Sequence, residues 1–192
     1  MKRLVFGLFS CFILSSVPLA QAADKAPGKL KISGKEHSKP VIKTASEEFK
    51  SEFLYRINKL RAEGCNCGDE FMPPVTPLTW NEQLELAAYG HAQDMFLKRY
   101  FDHISKDGSK LRDRIFATGY TYNGYKSFFI GENIAMGQRS IGEVMDGWIS
   151  SEGHCRNLMN PNFKEVGIAL VKSYWVQDFG ARNPFERKKG IW

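Results

Sequence analysis

Cysteine is scarce in this chain of 192 residues, which contains four. One of them, Cys11, lies in the apolar N-terminal run, so three remain for the rest of the chain: Cys65, Cys67 and Cys155. Cys65 and Cys67 are spaced too tightly for a zinc knuckle and lack a second cysteine pair, which argues against a structural zinc site. In an oxidising compartment, three cysteines are expected to give one disulfide and one free thiol.

Long hydrophobic runs are also missing after residue 19, so nothing beyond that point could span a bilayer. The first residues have the pattern of a secretory signal peptide: Lys2 and Arg3, an apolar run to Leu19, then the small-x-small sequence ending at Ala22. A membrane-anchoring helix is the alternative, but the run is short and interrupted. We therefore expect export, secreted or periplasmic, with residues 1–22 removed and no transmembrane segment in the mature chain.

An excess of charge is absent from the main part of the chain. From Thr44 onwards there are 19 basic and 19 acidic residues, and a neutral domain is a poor binder of nucleic acid. The net charge of +6 comes from the leader and from residues 23–43, which carry six lysines among Pro and Gly. We interpret residues 23–43 as a basic flexible linker. Contact of this linker with an anionic envelope polymer or lipid is the alternative to a solvated spacer, which we favour.

Helical periodicity and capping signals predict five helices. The first two begin at capping boxes over Thr44–Glu47 and Thr79–Glu82 and end at Gly64 and near Tyr100. The others cover Leu111–Ala117, the segment after Ser140, and a short stretch from Gly153 to Asn160. The proline-rich segment from Cys65 to Pro77 is expected to be an extended loop.

Three runs are typical of strands. Residues 128–136 form one, and residues 166–171 and 174–179 form an antiparallel hairpin across the two-residue turn Lys172–Ser173. No internal repeat is visible. Five helices and three strands in this order predict an α+β domain with a small antiparallel sheet and helices on both faces.

The candidate site is centred on Gly131-Glu132-Asn133-Ile134-Ala135, with His103 before it and His154 after it. We predict that His103, Glu132 and His154 meet in one cleft. Two imidazoles and a carboxylate could coordinate a divalent metal or act as acid and base, or could only knit strand to helices through buried hydrogen bonds. No serine or cysteine has the context of a nucleophile. His91, on an apolar helix face, is interpreted as a hydrogen-bonded core histidine rather than a ligand.

The motifs together resemble those of the CAP superfamily: cysteine-rich secretory proteins, antigen 5 and pathogenesis-related proteins. The resemblance is greatest to the single-domain bacterial branch, also called SCP-like extracellular domains. Each motif is short, but their order is specific. The matching segments are Pro77–Asn81, His91–Met95, Phe101–His103, Asp107–Ser109, Gly119–Tyr120, Gly131–Ala135, Trp148–Ser151, Gly153–Cys155, Asn157–Pro161, Val166–Gly167 and Tyr174–Gln177.

The resemblance implies an extracellular α-β-α sandwich over residues 44–181, followed by a C-terminal tail, 182–192. It also implies a cleft of two histidines and two acidic residues, in which His103, Glu132 and His154 fill three positions and are tentative Zn²⁺ ligands. The fourth acidic position falls at Ser151, and Glu152 lies one residue later. By analogy with bacterial members, in which a cysteine precedes glycine as Cys67 precedes Gly68, the disulfide is expected to be Cys67–Cys155, with Cys65 free.

Three functions are compatible with this sequence. The first is a binding or interaction module for a lipid or an envelope component, since sterol and lipid binding recur in the superfamily. The second is a metal-dependent hydrolase, for instance a protease. The third is a scaffold whose cleft is vestigial. We rank them in that order, which leaves no catalytic residue assigned. The ligand and the oligomeric state are not encoded in any motif.

Overall fold

The structure is a computed structural model, and it describes residues 45–185. The expected signal peptide, the linker and the last seven residues of the tail lie outside this range. The elements in chain order are α1 (Glu47–Glu63), β1 (Cys65–Cys67), β2 (Glu70–Met72), β3 (Thr79–Trp80), α2 (Glu82–Lys98), α3 (Leu111–Ala117), β4 (Tyr125–Met136), α4 (Ile141–Ser150), α5 (Glu152–Leu158), β5 (Glu165–Val171) and β6 (Tyr174–Pro184).

A four-stranded sheet in the order β3-β5-β6-β4 lies between two helical layers. Along β6 the side chains alternate between the layers, as the pleat of a strand requires. Trp175 and Phe179 pack with α1, α4 and α5, whereas Val176 packs with α2. The predicted α-β-α sandwich is therefore confirmed. The sheet is mixed rather than purely antiparallel, because the two residues of β3 pair in parallel with β5.

Helix α2 approaches the sheet closely enough to exclude any side chain at one position of β5. A Cβ atom built on Gly167 would lie 1.9 Å from the backbone nitrogen of Glu85. Only glycine is compatible with such close contact between a helix and a strand. The glycine thereby fixes how deeply α2 lies on the face of the sheet that carries Glu132.

A fully buried arginine joins α1 to the C-terminal end of α5 and to two loops. Arg61, near the end of α1, donates to the carbonyl oxygens of Thr76, Leu158, Asn160 and Phe163. Leu158 is the last residue of α5, where free carbonyl groups favour a cation. Burial lowers the pKa of Arg61 to about 10, so it remains charged at neutral pH.

Several local predictions are corrected by the structure. The N-caps of α1 and α2 are Ser46 and Asn81, each two residues later than the predicted capping boxes. Asn81 caps better than Thr79 could, because its side-chain oxygen accepts from two backbone amides, while Thr79 is used in β3. The expected loop 65–77 contains the β1–β2 hairpin, and β6 continues to Pro184, beyond the predicted strand end at Phe179.

The predicted disulfide is confirmed. Cys67 and Cys155 are bonded, with a Cα–Cα distance of 5.4 Å, and Cys65 is free. The bond joins β1 to α5 across 88 residues of sequence. In the chain-entropy account, closing a loop of this length stabilises the fold by about 4 to 5 kcal/mol.

Candidate functional site

The site is built around Glu132, on the edge strand β4. Only 7% of this residue is exposed, so its charge needs partners. One oxygen, Oε1, lies 2.7 Å from Nδ1 of His103, and the other, Oε2, accepts a 2.6 Å hydrogen bond from Nη2 of Arg114. Burial works to raise the pKa of Glu132, but the hydrogen bond with His103 and the charge of Arg114 outweigh it, and the pKa lies below its ordinary value.

His103 is oriented by Glu132 and remains open to solvent, with 55% of its side chain exposed. A carboxylate that accepts from Nδ1–H fixes the tautomer and leaves Nε2 with a free lone pair. The hydrogen bond to Glu132 raises the pKa of His103. The arrangement suits an imidazole that binds a metal or exchanges a proton at Nε2, while Glu132 holds the ring in place through Nδ1.

Arg114 is the residue that sequence reasoning missed. Besides Glu132, it donates to the carbonyl oxygens of His103 and Ser109 and lies 3.4 Å from the hydroxyl of Ser105. It therefore ties the loop that carries His103 to the strand that carries Glu132. A buried carboxylate requires a cation nearby, but no spacing in the sequence shows which of the many Arg and Lys residues provides it.

His91 occupies the core, as interpreted from the sequence. It is fully buried, with Nε2 3.0 Å from the carbonyl oxygen of Asp102 and Nδ1 3.5 Å from the hydroxyl of Ser105. Burial lowers its pKa. His91 thus packs as a buried imidazole against the loop that carries His103. Neither of its ring nitrogens is exposed to solvent.

A second missed residue is Asp178, the direct partner of Glu132 across β4 and β6. It is fully buried, and neither of its carboxyl oxygens has a hydrogen-bond partner among residues 45–185. Burial and the charge of Glu132 raise the pKa of Asp178 well above its ordinary value. The pair therefore holds one negative charge, on Glu132.

His154 reaches the site from the opposite helical layer. It is half-buried on α5, and its carbonyl oxygen accepts from Asn133, whose side chain also meets Gln177 and Asn157. Asn133 follows Glu132 in the strand and faces the other side of the sheet. Burial, and after it the charge of His103, lower the pKa of His154, so the two imidazoles influence each other around the edge formed by β4.

The ligand atoms of His103, Glu132 and His154 are not gathered as tightly as three metal ligands. Within residues 45–185, the three cysteine sulfurs are the one set of at least three such atoms that all lie within 4.8 Å of one another. Both oxygens of Glu132 are engaged, which leaves the two imidazoles as the available metal ligands. Glu152 is exposed, pairs with Arg156 through an oxygen 3.0 Å away, and lies against Gly68.

A sequence profile of the cysteine-rich secretory protein family, known as CAP, matches residues 54–179. The chain belongs to this family. The matched segment covers every residue of the site, from His91 to Asp178. No helix in the described part of the chain is long and apolar enough to cross a membrane.

Relatives and solved structures agree with this assignment. The uncharacterized protein YkwD of Bacillus subtilis is 40% identical over 107 residues, which are 55% of this chain and 40% of YkwD. The crystal structure of an extracellular Bacillus anthracis protein with an SCP domain matches 70% of this chain and 43% of its own, at 25% identity and a TM-score of 0.53. An outer surface protein of Borrelia burgdorferi matches in fold, with 20% identity, a TM-score of 0.54, and 71% and 91% of the two chains covered.

The match to YkwD covers less than half the length of that protein. Of these two structural neighbours, one is an extracellular protein and the other is an outer surface protein. The family and the fold of this chain are thus shown.

Proposed function

We propose that this CAP domain is an exported binding module that holds a single-chain amphiphile, such as a fatty acid, in a groove beside β5. The groove has a volume of about 530 Å³, within the range of small-molecule sites. Its apolar wall includes Phe49, Ile168, Leu170 and Val171, and the exposed Lys172 stands at its rim. This combination is the observation that carries the proposal.

The polar groups of the groove suit an amphiphile with an anionic head. Lys172 provides a positive charge at the rim. The one carboxylate in the lining, Glu85, is already bound by Trp80 Nε1 at 2.7 Å and by Lys50 at 3.7 Å, so it offers little repulsion. In the described structure, β5 pairs with β3 only as far as Val166, and the following backbone groups on that edge can hydrogen-bond a polar head.

Fluorescence displacement of a dansylated fatty acid tests this proposal on the purified, processed protein. Leu170→Glu places a charge in the groove and should weaken binding roughly tenfold, which corresponds to ~1.4 kcal/mol. Leu97→Glu is the matched control, because Leu97 is exposed on α2 and does not line the groove. Equal affinity of the wild type and Leu170→Glu would contradict the assignment to this groove.

The head group can be tested separately. Lys172→Ala should weaken binding of the fatty acid but not of the corresponding fatty alcohol, because only the acid is anionic. If both lipids are weakened equally, Lys172 contributes packing rather than charge, and the anionic preference is wrong. If neither probe binds the wild type, the amphiphile proposal fails.

Metal-assisted hydrolysis is the second candidate, and the His103–Glu132 hydrogen bond is the observation that favours it. That bond leaves Nε2 of His103 as an exposed base or ligand, with His154 as the other imidazole. Two imidazoles, completed by water, could hold Zn²⁺, which would supply a Lewis acid. A hydrolase screen with and without zinc tests it: activity in the wild type that is lost in His103→Ala would favour hydrolysis over binding.

A further inference from the structure

Three sulfur atoms lie together where β1 meets α5. Cys65 Sγ is 3.5 Å from Cys155 Sγ and 3.8 Å from Cys67 Sγ. Cys65 and Cys67 are two positions apart in β1, so both side chains leave the strand on the side of α5. Cys155 therefore faces two cysteines of the same strand, although it is bonded to one of them.

The three sulfurs differ in their access to solvent. Cys67 and Cys155 are fully buried, whereas Cys65 is half-buried and free. Cys65 packs at the border of a small apolar cluster that includes Leu60 and Met72. Cys65 is thus the one of the three sulfurs that solvent can reach.

We propose that Cys65 is the attacking thiol of an internal disulfide exchange, in which Cys155 changes its partner from Cys67 to Cys65. The Cys65 thiol first loses its proton to solvent. Its thiolate attacks Cys155 Sγ, the Cys65–Cys155 bond forms, and the Cys67–Cys155 bond breaks. The leaving Cys67 thiolate takes a proton from solvent. No net oxidation occurs, and the exchange needs no external oxidant or reductant.

The geometry predicts that the exchange is slow and depends on base. Cys65 Sγ is almost equally distant from both sulfurs, so it lies beside the disulfide, and the side chain must rotate before it can attack in line. Burial also raises the pKa of the Cys65 thiol, which keeps the thiolate scarce at neutral pH. Below that pKa the rate should rise roughly tenfold for each unit of pH, in proportion to the thiolate.

Both pairings keep α5 attached to β1, but at points two residues apart. His154 precedes Cys155 directly, and its carbonyl oxygen is bound by Asn133. A change of the partner of Cys155 would therefore shift the backbone at His154, one imidazole of the candidate site. The number of disulfides stays the same.

The matched variants Cys67→Ser and Cys65→Ser test the proposal in a glutathione redox buffer. Cys67→Ser should form the Cys65–Cys155 disulfide, seen by non-reducing peptide mapping and by the absence of alkylation at both residues. Cys65→Ser should keep the Cys67–Cys155 bond. A folded Cys67→Ser protein in which Cys65 and Cys155 are both alkylated would overturn the proposal, because it would show that Cys65 cannot reach Cys155.

The wild type provides a test that does not depend on a variant's folding. The protein is incubated at pH 7 and pH 9 without redox reagents, quenched in acid, alkylated and mapped. Alkylated Cys67 together with a Cys65–Cys155 linkage should appear, and faster at pH 9. Failure to detect this species after a day at pH 9, at a detection limit of about 1%, would equally overturn the proposal.

Discussion

Glu132 on β4 and Asp178 on β6 are direct partners across the antiparallel pair, and both side chains lie on the face of the sheet covered by α2. Two buried carboxyl groups in this arrangement cannot both ionise at low cost. Arg114 and His103 favour the charge on Glu132, and Asp178 therefore takes the proton. Each partner has its pKa moved in the opposite direction, lowered for Glu132 and raised for Asp178.

Asp178→Asn is expected to stabilise the protein at neutral pH and to have little effect near pH 4. Because the pKa of Asp178 is raised in the folded state, folding keeps a proton that the unfolded chain releases above its own pKa. The wild type consequently loses stability as pH rises above about 4, at up to ~1.4 kcal/mol per pH unit, until the folded pKa is reached. Urea denaturation of both proteins at pH 4 and pH 7 measures this. A constant difference between them would contradict the protonated state.

The imidazoles should titrate in opposite directions from their ordinary pKa. By NMR, His103 should titrate above 6.5 and His154 below it. Glu132→Gln should lower the pKa of His103, because the hydrogen bond to Glu132 is the main cause of the raised pKa. The pair stabilises the fold fully below pH 6.5, and this contribution is lost as pH rises through the folded pKa of His103. An unchanged His103 titration in Glu132→Gln would show that the bond does not exist in solution.

Zn²⁺ is expected to bind with modest affinity, since the two imidazoles are the ligands not already engaged. Calorimetry should show that His103→Ala and His154→Ala each lose most of the binding, whereas His91→Ala, with a folded state checked by circular dichroism, retains it. Binding should weaken as pH falls through the raised pKa of His103, because protons then compete for that imidazole. Equal binding by the wild type and the double variant His103→Ala/His154→Ala would exclude this site.

Two glycines of the α2 region provide a contrasting pair. Gly167→Ala would drive a methyl group into the backbone of α2 and should cost about 3 kcal/mol or more by analogy with overpacking. Gly90→Ala is the control, because a Cβ at Gly90 meets nothing within 4 Å. Alanine in this exposed helical position should stabilise by about 0.5 to 1 kcal/mol. Thermal denaturation that ranks the two variants in the reverse order would refute the close approach.

Much of the fold was predictable because its signals are local. Ser140 caps α4 as expected, α3 has the predicted bounds, and Lys172–Ser173 turns between β5 and β6. The β1–β2 hairpin and the two-residue β3 were missed. Each of these strands has only two or three residues, which is too few to show a period. In addition, β3 becomes a strand only by pairing with the distant β5.

The candidate site was likewise predictable only in part. His103, Glu132 and His154 were named from motifs, and the structure adds the hydrogen bond between the first two. Arg114 and Asp178 were not predicted, since each acquires its role from a partner more than fifteen residues away in the chain. Charge neutralisation of a buried carboxylate can be anticipated from burial, but the partner is determined by how the strands and helices meet.

The contacts of Arg61 limit where extra residues can be inserted into the chain. Its guanidinium and the carbonyl groups of residues 76, 158, 160 and 163 make two connecting segments depend on a single position in α1. An insertion in either segment would move a carbonyl group away from this fully buried cation, which would leave part of its charge unpaired. Epitope tags or extra residues should therefore be tolerated around Gly124, where glycine faces open space, and rejected between Leu158 and Phe163.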